Sequence, residues 1–261
     1  MARTVDYGRV VRRALNLTRP HAVAISLGVL LMISLPAAML NWAIPKATAA
    51  MPIVRVLGPV GAGYAVSGAH QLILSVFQST FTAWVAAVLV GQTKGELTLR
   101  PWALWGAVAR RIGPIIATGL IAFSGYLFGL ILLVAPGVML GLAWQVAVPA
   151  AMVEGLSPAE ALARSASLTR GRRWSLFGLT LIAMLPIVML NYVAGVLGVA
   201  LMGGAVPFGV GMTAPLVLFV IKPLVAAPAV VILAAGAASI YIELVDLKQG
   251  GLGSSVAEVF A

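Results

Sequence analysis

An all-α polytopic membrane protein is the fold class this sequence predicts, and three observations predict it. Of 261 residues, 61% are hydrophobic and only 9% are charged, against about 25% charged in an ordinary globular domain. Several stretches stay apolar over the roughly 20 residues that a helix rising ~1.5 Å per residue needs to cross the hydrocarbon of a bilayer. Between these stretches the basic residues fall in an alternating pattern. A water-soluble core of this length has no use for so many uninterrupted apolar runs.

Taken in order, residues 1–21 form a basic interfacial segment with five arginines and no apolar run. Ala22–Ile44 is long enough to span, so it is expected to remain as the first span and not to be cleaved as a leader. Further spans are expected at Ala69–Val90, Ile115–Ala135, Gly137–Val153, Ser175–Leu201 and Pro215–Leu244. That makes about six in a bundle over residues 22–248, with 249–261 a short tail. The third and fourth spans meet at Ala135-Pro136-Gly137, a hairpin with almost no loop. The sixth is broken by Pro215, Pro223 and Pro228, which remove backbone donors and kink a helix.

Orientation follows from the basic residues, which gather on the cytoplasmic side of a membrane. With the N-terminus inside, the inner segments hold Arg3, Arg9, Arg12, Arg13 and Arg19, then Lys94, Arg100, Arg110 and Arg111. Arg164, Arg170, Arg172, Arg173 and Lys248 follow, fourteen of the 17 basic residues in all. Only Lys46 and Arg55 fall outside, with Lys222 in or beside the sixth span. Both termini are therefore expected in the cytoplasm. Arginine pairs precede spans one, three and five: Arg12–Arg13, Arg110–Arg111 and Arg172–Arg173. They serve as generic basic anchors or as a specific grip on lipid headgroups, each arginine contributing about 1 kcal/mol near an anionic surface.

The charged stretch VEGLSPAEALARSASLTRGRRWSLFG, Val153–Gly178, stands out in this apolar chain. Ser157-Pro158-Ala159-Glu160 is a helix start, with a serine cap, proline in the first turn and glutamate three residues after the cap. The helical period puts Leu156, Ala159, Leu162, Ala163, Ala166 and Thr169 on one side. Glu160 and Arg164 fall on the other as a favourable i,i+4 pair, and Gly171 is placed to end the helix. Arg172, Arg173 and Trp174 then form a basic-aromatic anchor where span five begins. An amphipathic interfacial helix on the cytoplasmic face is the expectation.

Composition also excludes chemistry. Cysteine is absent, which removes disulfides, thiolate nucleophiles and thiolate-ligated metals. His21 and His70 are far apart, and at the outer start of span two His70 is more commonly a lone interfacial histidine than a ligand to a pigment or metal. No serine–histidine–aspartate set, phosphate loop, carboxylate pair or metal cluster is evident, so no enzyme activity, cofactor or metal is expected. The net charge of +10 flanks apolar spans, which points to anionic phospholipid as the partner and away from nucleic acid.

Polar residues inside the spans have two readings. A lysine at mid-bilayer costs about 2.5–3.5 kcal/mol, so Lys222 either snorkels to the interface or lies in a wet cavity. Gln145 and Asn191 act as interhelical glue or, with Lys222, line a polar path. Gly125-x-x-x-Gly129 and Gly137-x-x-x-Gly141 allow close backbone contact around the third–fourth hairpin.

From Val134 to Gly250 the chain resembles a known family. Pro136-Gly137, Val148-Pro149, Glu154-Gly155, Ala161-Leu162, Arg164-Ser165, Leu168-Thr169-Arg170-Gly171 and Arg173-Trp174 look like the membrane domain associated with bacterial glycerophosphoryl diester phosphodiesterases and related six-span proteins. Tyr241, Glu243, Leu244, Lys248 and Gly250 are similar to that family's closing motif, with Val245 where an arginine is expected. Over the first half only the span pattern is similar. The resemblance implies a six-span fold in a bacterial inner membrane. It carries no hydrolysis, which belongs to a separate soluble domain. The expected function is a non-enzymatic, lipid-associated accessory, scaffold or assembly subunit, in contact with other membrane subunits or with itself. The alternative is a transporter or channel for a small solute or lipid.

Overall fold

The computed structural model describes residues 7–19, 22–37, 39–40, 52–93, 104–201 and 222–249, and among them all regular structure is helical. The helices are α1 (Tyr7–Thr18), α2 (Ala22–Val29, running on into a π-helical turn at Leu30–Ser34), α3 (Pro52–Thr93, broken by a kink at Gly58, φ +68), α4 (Leu104–Arg110) and α5 (Ile112–Leu132). They continue as α6 (Val134–Trp144), α7 (Ala147–Glu154), α8 (Pro158–Thr169), α9 (Arg173–Leu201) and α10 (Lys222–Gln249).

Four helical segments are long and apolar enough to cross a membrane: Gly68–Thr93, Ile112–Leu132, Val134–Glu154 and Ala229–Lys248. A fifth results if α8 and the first part of α9, which meet at 98°, count as one broken span. Of the expected first span, the apolar helix Val23–Ala37 is described, and residues 41–44 lie outside the described set. So do residues 215–221 of the expected sixth.

Burial sorts the helices. The spans of α3 and α10 are each 61% buried and pack along one another at the centre, whereas α5 is 22% buried and lies at the edge. At the core the fully buried Trp84 of α3 stands 5.9 Å from Phe81 and stacks on Trp105 at 5.1 Å, which docks α4 against α3. The Phe81 and Trp84 rings also press on α2, since a Cβ at Gly28 would come within 3.3 Å of each of them.

The α5–α6 hairpin turns earlier than its proline suggests. A single extended residue, Leu133 (φ −163, ψ 136), separates the two helices. Pro136 instead sits in the first turn of α6, where its missing N–H has no intrahelical partner to lose. Glycine makes the closure. A Cβ at Gly129 would meet the Gly137 Cα at 2.8 Å, and one at Gly137 would meet the Leu130 backbone nitrogen at 2.5 Å. One at Gly125 would strike the Trp144 ring at 2.3 Å, and one at Gly141 the Tyr126 ring at 2.9 Å. The two glycine pairs thus bring neighbouring helices of the same chain together.

Candidate functional site

The apolar segment Val134–Glu154, the expected fourth span, is interrupted where the sequence gives no warning. α6 ends at Trp144, Gln145 and Val146 form a turn, and α7 starts at Ala147. A break inside a span frees backbone groups that hydrocarbon cannot satisfy, so protein side chains must do so. Ser165 of α8 supplies the partner: its hydroxyl donates to the Ala143 carbonyl at 2.8 Å and accepts from the Val146 N–H at 3.3 Å. The Thr169 hydroxyl lies 3.4 Å from the same Ala143 carbonyl and 3.0 Å from the Ser165 carbonyl. Both side chains are fully buried.

The buried face of α8 is therefore not the one its period predicts. Ala161, Leu162, Ser165, Leu168 and Thr169 are buried, while Ala159 and Ala163 are exposed. α8 packs against α5, α6 and α7, and also against α10, where an interfacial helix would rest on lipid alone. Its ends match the expectation. The Ser157 backbone N–H and hydroxyl both donate to Glu160 Oε2, at 2.9 and 2.7 Å, and Gly171 takes a left-handed φ of +84. The hydroxyl first, then the backbone N–H, hold the Glu160 carboxyl below the usual carboxylate range.

With Glu160 engaged by its own cap, Arg164 turns elsewhere. Its Nε lies 3.0 and 2.9 Å from the two carboxylate oxygens of Glu154, at the end of α7. The same carboxylate accepts a 2.9 Å hydrogen bond from the hydroxyl of the buried Tyr241 on α10. One carboxylate thus ties α7, the charged helix α8 and α10 together. Lys248 adds a second tie by donating to the Ser167 carbonyl, and the charges of Arg172, Arg164 and Arg170 all bear on its ammonium.

Arg111 closes the other flank. Its Nη1 donates to the Met152 carbonyl at 3.1 Å, satisfying one of the orphan acceptors at the end of α7. Gly155 ends that helix at φ +70, and a Cβ there would meet Arg111 Nη1 at 2.4 Å. The left-handed backbone favours glycine here, and the missing side chain leaves the room that the guanidinium occupies.

The structure thus divides the expected basic site. Arg111 and Arg164 are spent on internal bonds. Arg12, Arg110, Arg170 and Trp174 are exposed, and Arg172 and Arg173 are half-buried. Trp174 meets Phe177 edge-on at 6.1 Å. Of the expected intramembrane polar residues only the Gln145 side chain is described; its Nε2 donates to the Thr180 hydroxyl at 3.1 Å, joining the Val134–Glu154 segment to α9. The side chains of Arg13, Asn191 and Lys222 lie outside the described set, as does His21. Ser165, Thr180 and the Tyr241–Glu154 pair carry the polar contacts that spacing did not reveal.

Beside this end of the bundle lies a cavity of about 190 Å³ between α1, α9 and α10. Gln145 and Thr180 are the polar residues of a wall otherwise made of aliphatic side chains and one glycine. Among the described residues, no group of three or more His, Cys, Asp or Glu comes together in a way that could hold a metal ion. Comparison with protein-family models, with curated proteins and with solved structures returns no match to this chain.

Proposed function

We propose that the protein is a non-catalytic, six-span bacterial inner-membrane protein, with both termini cytoplasmic, that holds anionic phospholipid at its arginine-rich end as an accessory or assembly subunit. One observation carries this reading. Glu154 is engaged by Arg164 and Tyr241 and Glu160 by its own helix cap, while Arg12, Arg110 and Arg170 are exposed. An excess of exposed guanidinium beside apolar helices attracts lipid phosphate, which they bind in a forked geometry. The resemblance to the phosphodiesterase-associated membrane domain supports the span count and the membrane, and leaves the lipid role to be tested directly.

The residues to change are the exposed arginines, because Arg111 and Arg164 hold the fold. Arg110→Gln with Arg170→Gln is expected to lower the amount of phosphatidylglycerol retained by the purified protein in native mass spectrometry. Retention equal to that of the unaltered chain refutes the reading.

A further inference from the structure

The cavity between α1, α9 and α10 has the chemistry of a berth for one hydrocarbon chain. At about 190 Å³ it exceeds the roughly 150 Å³ of an apolar cavity that stays dry and takes up benzene. Val10, Ala14, Leu179, Ala183 and Ile240 line it. Gly236 lines it too, and a Cβ built there meets nothing within 4 Å. The space at that wall is open room and not a tight contact between helices.

Charge lies at one end of it. α9 begins with Arg173 and Trp174, and Thr180 on the cavity wall follows seven residues later, about 10 Å along the helix. The Arg173 Nε is buried and has no hydrogen-bond partner among the described residues. α1 covers the same end of α9, since a Cβ at Gly178 would lie 2.9 Å from the Tyr7 hydroxyl. Arg12 of α1 is exposed one residue from the lining Val11.

We propose that this cavity takes one acyl chain of an anionic phospholipid whose phosphate rests against Arg173 at the start of α9. The proposal builds on the lipid-holding function above and assigns it a particular berth. On the wall, the Gln145 amide and the Thr180 hydroxyl are bonded to each other at 3.1 Å, so the lining offers the chain an almost wholly apolar surface. Arginine for phosphate and aliphatic wall for chain follow the order of groups along a phospholipid.

The test uses the full chain in bilayers of phosphatidylcholine with a minor share of phosphatidylglycerol that carries a photoreactive diazirine on its acyl chain. Labelling is expected at Leu179, Ala183 and Ile240, and Gly236→Leu, which fills open space without a backbone clash, is expected to abolish it. Leu181 and Leu185, exposed on α9, report ordinary bilayer contact and keep their label in the variant. Label confined to Leu181 and Leu185 in the unaltered chain overturns the proposal. So does cavity labelling that survives Gly236→Leu, or equal labelling by a diazirine-bearing phosphatidylcholine. The outcome is separable from that of Arg110→Gln with Arg170→Gln, which reads retention at the exposed arginines and leaves the cavity unaltered.

Discussion

Replacing Ser165 by alanine isolates the contact that repairs the break in span four. The Val146 N–H then loses the partner the structure gives it, at about 1–3 kcal/mol for an unsatisfied buried donor. The Ala143 carbonyl loses its 2.8 Å bond but keeps Thr169 at 3.4 Å, which limits the added loss to under ~1 kcal/mol. A destabilisation of about 2 kcal/mol is expected, well above the ~0.6 kcal/mol typical of interhelical hydrogen bonds in membranes. Thr169→Val alone should have little effect, because Ser165 remains on the same carbonyl. Together the two should exceed the sum of the singles by about 0.5 kcal/mol or more, as residues sharing one partner do. The assay is reversible unfolding of the full chain in mixed micelles, followed by tryptophan fluorescence. A Ser165→Ala loss below ~0.5 kcal/mol, with additive double-variant behaviour, would refute the assignment of Ser165 to the break.

Two other outcomes follow from local geometry. Gly137→Ala puts a methyl 2.5 Å from the Leu130 backbone nitrogen, a clash no rotamer relieves; a loss of about 1–3 kcal/mol is expected, while Gly113→Ala, which meets nothing within 4 Å, stays within about 1 kcal/mol of the unaltered chain in the same unfolding assay. The Glu160 carboxyl is held below its ordinary value by Ser157, so the cap contributes stability at pH values above the unfolded carboxylate pKa and loses it as pH falls through the lower folded one. Amide exchange in the first turn of α8 should accelerate across that acid window, and Glu160→Gln should remove most of the pH dependence; identical profiles for both chains would sink the cap assignment.

Signals confined to one turn of helix were legible in the sequence. Ser157, Glu160 and Gly171 mark the two ends of α8 through nearest neighbours alone. The buried face of α8 was not legible. Hydropathy scores Ser165 as polar and sends it outward, whereas its partners Ala143 and Val146 lie about twenty residues upstream, at a break within an apolar run. The partner of Arg164 was hidden for a related reason: the spacing to Glu160 is ideal, but the Ser157 cap holds that carboxylate and Glu154 accepts the arginine instead. Glycine spacing announced close contact, and only the structure shows that Gly129 and Gly137 face each other across one hairpin.

That hairpin bears on how the chain enters a membrane. With Leu133 alone between α5 and α6, there is no tether on which one helix could sit in lipid while its neighbour waits in water. Two apolar helices joined by one residue and seamed at Gly129 and Gly137 are held as one hairpin, so whatever places one of them in lipid places the other beside it.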